Sequence, residues 1–402
     1  MLLHLDDDEL SSCVACGLCL PHCPTYRATG EEALSPRGRI DAMRAVQWRD
    51  APIDDQFVEF METCVQCRGC EPACPSGVPF GRLMEGTRDT LATQGRIAPW
   101  WQRRGLAMLA HHRLLLAGST GLALLQRLHL VPRRLGLPRL PLRRGAAVRS
   151  TGPGSAAQGT TGNGATGHVW FFTGCVMDAW MRSTHRSTAE VLAAMGTTIS
   201  VPGPGGGCCG ALHTHAGLTR DARRLAEHVI ASMPGDDPVL VNSAGCGAAL
   251  QDYGHLLGTD EASAFSARVL DVHAWVADRL EHLPEPATHL GPIMVQDPCH
   301  LRHVQRDLVS VRRVLAHVAE PVELHDDGLC CGAGGAYSAM QPELSGRIRE
   351  KKVTVIETVG ARRGASVVAS ANPGCAMHLA AAGLDVRHPM DLVAAAIGVS
   401  GR

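Results

Sequence analysis

The chain has 402 residues, enough for two or three domains with cores of their own, so its folding does not need disulfides. Its 38 basic and 39 acidic side chains nearly cancel, which removes any global reason to expect nucleic acid or another polyanion as a partner. The 16 cysteines of a chain that we expect to be cytoplasmic indicate metal binding or redox chemistry.

The chain shows no sign of export or of a membrane-spanning segment. Residues 1–10 are acidic and lack the basic start and long apolar run of a secretory signal. The nearest approach to a membrane span, Leu114–Leu125, is too short to cross a bilayer and lies among arginines. We therefore expect a cytoplasmic chain that is either soluble or bound peripherally at the inner face of the cell membrane.

Two matching cysteine runs lie in residues 1–90. Each follows the spacing Cys-x2-Cys-x2-Cys-x3-Cys-Pro of bacterial two-cluster ferredoxins. Three thiolates on a tight loop reach three corners of one cubane, and the fourth, turned away by the proline, reaches the neighbouring cluster. Zinc also binds Cys-x2-Cys pairs, but it does not need four cysteines and a proline in each run. The spacing predicts two [4Fe-4S] clusters, one on Cys13, Cys16, Cys19 and Cys74 and the other on Cys64, Cys67, Cys70 and Cys23.

A helix start and a basic segment follow from local patterns. Ser35-Pro36 before Arg37 and Arg39 resembles a helix N-cap with a proline in the first turn. The arginines are expected on a solvated face or in local packing, and donation to a partner or to cluster sulfurs is the alternative. Residues 91–150 are helical in pattern and contain eleven Arg but no Asp or Glu. This segment fits contact with anionic lipid, and it fits equally a helical hairpin packed on partner subunits or on its own domain.

Residues 151–167 are rich in Gly, Ser and Thr, which predicts a flexible linker. An internal repeat follows this linker. Its copies span 168–288 and 289–402. In each, one short apolar run precedes a cysteine, a second precedes Cys-Cys-Gly and a third precedes a last cysteine. Helix-like stretches separate the runs, which predicts two α/β units with largely parallel sheets.

The repeat cysteines should follow the carboxyl ends of strands, where open α/β sheets bind ligands. Four thiolates per copy are enough for one further iron-sulfur cluster each, and vicinal cysteines can also exchange thiols and disulfides. Buried structural cysteines are the plainer alternative. The cysteines are Cys175, Cys208, Cys209 and Cys246 in the first copy and Cys299, Cys330, Cys331 and Cys375 in the second.

Polar residues flank these cysteines and could relay protons. Such residues are more commonly exposed to solvent or hydrogen-bonded within the fold. The flanking residues are His213, His215, Asp297, His300 and His303. The residues together predict an α+β multi-domain protein, with a helical two-[4Fe-4S] ferredoxin-like domain followed by two tandem α/β Cys-Cys-Gly repeats.

Three stretches in the first cysteine region carry a family resemblance. They are Cys19-Leu-Pro-His-Cys-Pro-Thr-Tyr26, Leu34-Ser-Pro-Arg-Gly-Arg-Ile40 and Cys70-Glu-Pro-Ala-Cys-Pro-Ser-Gly77. With the two Cys-Cys-Gly copies, they make the whole chain resemble the iron-sulfur subunits of glycolate oxidase. The wider family includes heterodisulfide reductase subunits, the lactate-utilisation iron-sulfur protein and the iron-sulfur subunit of anaerobic glycerol-3-phosphate dehydrogenase.

The resemblance implies an electron-transfer subunit whose FAD-containing partner subunits oxidise glycolate to glyoxylate, with a quinone or another compound as acceptor. It implies no catalytic residue and no glycolate activity in the isolated chain. The alternatives are an iron-sulfur subunit of a related lactate or glycerol-3-phosphate dehydrogenase, or a thiol or quinone reductase acting at the Cys-Cys-Gly sites. Unlike the heterodisulfide reductases, the chain has Ala249 and His378 at the last ligand positions, which leaves open whether the copies hold clusters.

Overall fold

A computed structural model describes residues 3–131, 140, 142, 146–151, 167–203 and 206–399. The chain divides into two compact units. Unit 1 comprises Met1–Leu106, Gly210–Ala222 and His325–Val355, and unit 2 comprises Ala107–Cys209, Arg223–Leu324 and Ile356–Arg402. The domain boundaries expected from the sequence remain predictions, and most of the expected linker, residues 152–166, lies outside the described residues.

Helices dominate the chain before the first strand. They are α1 (Asp7–Ser11), α2 (Pro24–Thr29), α3 (Pro36–Arg49), α4 (Asp55–Glu62), α5 (Phe80–Thr93), α6 (Trp100–Ala110) and α7 (His112–Arg127). Ser35 caps α3 by accepting a hydrogen bond from the backbone N–H of Gly38, and Pro36 occupies the first turn, as predicted. None of the helices in the described ranges combines the length and apolar character that crossing a bilayer requires.

Strands and helices alternate in the rest of the chain. The first copy contains β1 (Gly167–Phe172), α8 (Val176–Trp180), α9 (Arg182–Ala194), β2 (Thr197–Ser200), α10 (Ala211–His215), α11 (Thr219–Ser232), β3 (Val239–Val241), α12 (Ala244–Gln251), α13 (Tyr253–Leu257), α14 (Asp260–Ala267), β4 (Val269–Asp271) and α15 (Val272–Ala277). The second contains β5 (Pro292–Gln296), α16 (Ser310–Val318), β6 (Glu320–Glu323), α17 (Tyr337–Met340), α18 (Pro342–Arg363), β7 (Val367–Ser370), α19 (Pro373–Ala380), β8 (Asp385–Arg387) and α20 (Pro389–Ala396).

Each copy forms its own four-stranded sheet, and the two sheets have the same topology. The strand orders are β2-β1-β3-β4 and β6-β5-β7-β8, and every pairing is parallel. The central strands read as continuous apolar runs, as expected when helices cover both faces of a parallel sheet. The α+β architecture, the repeat and the parallel sheets predicted from the sequence are therefore confirmed.

One apolar core serves both sheets of unit 2. Val169 and Phe171 of β1 belong to the same buried cluster as Ile293 and Val295 of β5, together with Trp275 of α15. In both sheets the first strand along the chain is the second strand in space. The chain continues from it to the strand at the nearer edge, and then crosses back to form the two strands on its other side. The crevice at the carboxyl ends of β1 and β3, and of β5 and β7, is the place where such sheets bind ligands.

Candidate iron-sulfur sites

The two ferredoxin-type loops share an unusual backbone. Ala15 and Gln66 lie two residues after the first cysteine of their loops, and Gly17 and Arg68 lie four after it. All are left-handed, with φ of 56°, 58°, 85° and 57° respectively. For a residue other than glycine this conformation costs on the order of 1 kcal/mol and persists where the surroundings enforce it. A centre that binds the three cysteines of each loop would supply that constraint.

The cysteines predicted to hold one cluster surround one cavity in unit 1. Apolar side chains such as Ile40, Val78 and Phe80 form part of its wall, and Cys70 of the other predicted set also reaches it. Four thiolates around an apolar cavity are a donor set typical of iron-sulfur centres. The cysteines that the spacing assigned to this cluster and that line the cavity are Cys13, Cys16, Cys19 and Cys74.

The second predicted set is more deeply buried. Burial raises the pKa of Cys70 well above its usual value, and negative charge on Cys67, Cys23 and Cys64 raises it further. These four thiols are therefore close enough to affect one another's ionisation. Binding to iron as thiolates would offset the cost of ionising them in this environment, so the residues fit a [4Fe-4S] centre.

Arginines of α3 hold the first cysteine loop through backbone carbonyls. Arg44 donates from Nη2 to the carbonyl oxygen of Cys13 at 2.6 Å, and Arg37 donates from Nη1 to that of Ala15 at 3.0 Å. Arg37 is partly exposed and also pairs with Glu32. The arginines of the predicted helix start thus pack locally, and they keep the first loop in position.

Arg39 joins the two halves of the second set. Its side chain is buried and donates to the carbonyl oxygens of Phe60, at 2.6 Å, and Leu34, and to the hydroxyls of Thr25 and Thr63, at 3.3 and 3.2 Å. Thr25 lies two residues after Cys23, and Thr63 lies directly before Cys64. The cation opposes the rise in the Cys23 pKa that burial causes, so it favours the thiolate that iron requires.

Arg88 of α5 is a second buried cation, and sequence reasoning missed it. Its guanidinium donates to the carbonyl oxygens of Met61 at 2.6 Å, Cys64 at 2.8 Å and His215 at 2.7 Å. Burial lowers its pKa. The available signal was a single arginine within the apolar stripe of α5, which contains Leu83 and Leu91.

The first-copy cysteines meet at the crevice of their sheet. Cys175 follows β1, Cys246 lies in the first turn of the helix after β3, and Cys208-Cys209 lies in the loop after β2. The Sγ atoms of Cys209 and Cys246 are 3.3 Å apart. A hydrogen bond with Cys208, together with burial, raises the pKa of Cys175 well above its usual value. The Cys209–Cys246 contact raises the pKa of Cys209 and lowers that of Cys246.

The second-copy cysteines are divided between the units. Cys299 and Cys375 follow β5 and β7 in unit 2, and Cys330 and Cys331 belong to unit 1. The Sγ atom of Cys299 lies 3.6 Å from Nδ1 of His300. The assignment of these four cysteines to one further iron-sulfur centre remains a prediction from the sequence.

Asn372 connects the last-cysteine turns of the two copies. Its Oδ1 accepts a hydrogen bond from the backbone N–H of Gly245 at 3.1 Å, and its Nδ2 donates to Sγ of Cys375 at 3.5 Å. The backbone N–H of Ala244 also donates to the carbonyl oxygen of Ala371 at 3.1 Å. The turns that carry Cys246 and Cys375 are therefore in direct contact.

The two departures from the heterodisulfide reductase pattern occupy equivalent places. Ala249 lies on α12 and His378 on α19, each three residues after the last cysteine of its copy. Residues three apart on a helix share a face, so a ligand at either position would point toward the same site as the cysteine. An alanine cannot bind iron, which restricts the first copy to its four thiols at this site.

The flanking polar residues mostly have structural contacts. Asp297 accepts from Arg302 at 2.9 Å and from Arg312 at 2.9 and 3.0 Å, which makes it an ion-pair anchor. The carbonyl oxygen of His215 accepts from Gln66 at 3.1 Å as well as from Arg88. Nδ1 of His213 is buried and has no hydrogen-bond partner within the described residues.

Buried histidines beside the first-copy site carried no recognisable sequence signal. His185 donates from Nε2 to the carbonyl oxygen of Thr173 at 2.8 Å, and its Nδ1 accepts from Asn242 at 3.1 Å. His388 donates from Nε2 to the carbonyl oxygen of Asn242 at 2.9 Å. Thr173 and Asn242 directly follow β1 and β3, so these histidines fix the strand ends that lead to Cys175 and Cys246.

Comparison with known proteins matches both halves of the chain. The family described as 4Fe-4S dicluster domain matches residues 9–78, and the family described as Cysteine-rich domain matches residues 169–251 and 293–380. The first match confirms the two predicted [4Fe-4S] clusters, and the second supports further iron-sulfur centres in the repeats. The assignment of individual cysteine ligands remains a prediction.

Similar proteins are subunits of larger enzymes. A probable glycolate oxidase iron-sulfur subunit of Bacillus subtilis is 33% identical over 93% of this chain and 89% of its own length. The glycolate oxidase iron-sulfur subunit of Escherichia coli is 30% identical over 97% of this chain and 95% of its own length. One of the subunits of the dihydromethanophenazine:CoB–CoM heterodisulfide reductase of Methanosarcina barkeri is 26% identical over 98% and 95%, respectively.

Proposed function

Because this chain belongs to the family of glycolate oxidase iron-sulfur subunits, we propose that it carries electrons from glycolate oxidation to a quinone. Electron transfer through iron-sulfur centres is the role that the family membership supports. The electron source in this proposal is a set of FAD-containing subunits that convert glycolate to glyoxylate. In this proposal the chain has no catalytic residue for glycolate oxidation, and it transfers electrons from the flavin to the acceptor.

The observation that carries the proposal is the environment of Tyr337 in unit 1. Its hydroxyl donates to the carbonyl oxygen of Thr63 at 3.2 Å, directly before Cys64. Burial raises the pKa of Tyr337, and negative charge on Cys64 and on Cys330 raises it further. Tyr337 therefore lies near a cysteine of the dicluster domain and near the Cys-Cys-Gly of the second copy. This proximity supports a short route for electrons between the two kinds of site.

Within unit 2, Asn372 supports electron transfer between the two copies. Its hydrogen bonds join the turns of Cys246 and Cys375, the last cysteines of the two copies. Each [4Fe-4S] centre, when bound, accepts and releases one electron. The protein groups around the centres have fixed roles in the proposal: Arg39, Arg44 and Arg88 position the loops and favour added negative charge.

The proposal is tested by purifying the chain with and without its flavin subunits. We expect the chain alone to leave glycolate unchanged and the complex to reduce a soluble quinone analogue when glycolate is added. Cys70→Ser in the complex should abolish quinone reduction while glycolate still reduces a dye at the flavin. Glycolate oxidation by the chain alone would refute the subunit role. If the complex turned over faster with lactate or glycerol 3-phosphate than with glycolate, that compound would be assigned as the substrate in place of glycolate.

A second function, thiol or quinone reduction at the Cys-Cys-Gly sites, is favoured by one contact. The 3.3 Å separation of Sγ of Cys209 and Cys246, with the pKa of Cys246 lowered by that contact, is suited to thiol-disulfide exchange. Cys246→Ser would then abolish disulfide-dependent turnover while the dicluster domain keeps its clusters. Full turnover in that variant would exclude this function.

A further inference from the structure

Helix α7 buries one face against the first-copy cysteines. The residues on this face are Leu115, Ser119 and Ala123. Leu115 belongs to a buried cluster with Cys175 and Cys208, and Nε1 of Trp180 donates to Oγ of Ser119 at 2.8 Å. The helix thus forms a cover over the first-copy site in unit 2.

The opposite face of α7 is apolar as well, but it is exposed. Leu114, Leu124 and Leu128 expose 55%, 53% and 58% of their surface. The face repeats at the three- and four-residue spacing of one helix side, and it contains no charged side chain. We call it the α7 outer face; its residues are Leu114, Ala117, Gly118, Gly121, Leu124, Leu125 and Leu128.

A contiguous exposed apolar face of this kind marks an interaction surface. The charges around it in the sequence have one sign, because residues 91–150 contain eleven Arg and no Asp or Glu. Exposed Arg113 directly precedes Leu114 at the start of the face. An exposed apolar helix face next to an exposed arginine, within a segment whose sequence has no acidic residue, is typical of a helix that lies in the interface of an anionic membrane.

We propose that the α7 outer face docks on an anionic lipid surface. The leucines enter the boundary between headgroups and acyl chains, and Arg113 contacts the anionic headgroups. A protein partner and a second copy of the chain are the alternative occupants, and the experiment below distinguishes them from lipid.

Docking by this face has a consequence for the electron acceptor. The buried face of the same helix contacts Cys175 and Cys208, so one helix diameter, roughly 10–12 Å, separates those cysteines from the lipid. An apolar two-electron acceptor dissolved in the membrane, such as a quinone, could then approach the first-copy site. This consequence rests on the proposed function, whereas lipid docking does not.

Vesicle flotation of the full chain, purified anaerobically, tests the proposal. The probes are vesicles of phosphatidylcholine alone and of phosphatidylcholine with one quarter phosphatidylglycerol. We expect the chain to float with the anionic vesicles and binding to weaken with added salt. The variant Leu124→Gln/Leu128→Gln should bind about tenfold or more weakly, because two apolar side chains no longer enter the lipid.

The matched control is Leu308→Gln/Val309→Gln, which changes two exposed apolar residues outside α7 and should leave flotation unchanged. Iron content and the visible spectrum of each variant report whether the fold is intact. Failure of the wild-type chain to float, or equal flotation of the α7 variant, would overturn the proposal. The proposal would also be overturned if the wild-type chain did not float but instead dimerised without vesicles, or bound the flavin subunits, and the α7 variant lost that interaction.

The docking and the proposed function fail separately. Glycolate-dependent dye reduction by the complex in detergent-free buffer without vesicles reports the function alone. Flotation together with no such activity would leave docking intact and refute the glycolate proposal.

Discussion

Replacing the buried cation Arg39 with Met should lower the reduction potential of one cluster. Nη1 of Arg39 and Sγ of Cys23 both contact Oγ1 of Thr25, at 3.3 and 3.1 Å, so they are at most about 6.4 Å apart. At that distance two unit charges interact by about 2.6 kcal/mol with an effective dielectric constant of 20. For one electron this energy corresponds to about 110 mV, and spreading of the charge over the cluster reduces it to roughly 50–110 mV.

Potentiometric titration followed by electron paramagnetic resonance measures this shift in the intact chain. Arg39→Met should move one of the two [4Fe-4S] signals to a more negative potential and leave the other nearly unchanged. Arg39→Lys is the control, because it keeps the charge while losing part of the hydrogen bonding to Phe60, Leu34, Thr25 and Thr63. Unchanged potentials in an Arg39→Met protein that retains both clusters of its dicluster domain would refute the electrostatic role of Arg39.

Three further predictions concern iron content and stability. Cys209→Ala should lower the iron content by about four atoms per chain relative to wild type, measured with acid-labile sulfide in anaerobically purified protein. An unchanged content would mean that the first copy holds no cluster. Ser35→Ala should destabilise the chain by about 1 kcal/mol in denaturant unfolding, because the buried cap of α3 is lost; Thr259→Ala, at the more exposed cap of α14, is the comparison. Burial lowers the pKa of His185 from 6.5 to about 4, so its neutral form stabilises the fold above pH 6.5, and up to about 3 kcal/mol of that stability is lost as the pH falls toward 4. The stability of His185→Gln should depend less on pH between 7 and 5 than that of wild type, and equal dependence would contradict the assignment.

The sequence predicted the features that depend on local spacing. The cysteine runs, the α3 start at Ser35-Pro36 and the strand positions all follow from patterns a few residues long, and the structure contains the corresponding loops, helix and sheets. Equivalent left-handed residues in the two loops, such as Ala15 and Gln66, extend this correspondence to the backbone.

The features that depend on distant contacts were not predictable in the same way. Arg39 lies on a helix with charged residues on several sides, and its partners at Thr25 and Thr63 come from two other segments. The grouping of residues 210–222 and 325–355 with the N-terminal region is likewise set by contacts such as Gln66 with His215 and Tyr337 with Thr63. No periodicity within either segment records such a contact.

The shared core of unit 2 makes the two copies one cooperative folding unit. Val169 and Phe171 of the first sheet and Ile293 and Val295 of the second lose water contact together, so neither copy can complete its core alone. A chain cut between the copies would expose this apolar surface and aggregate instead of yielding two working halves. The duplication has therefore produced a pair of sheets that fold and unfold as one.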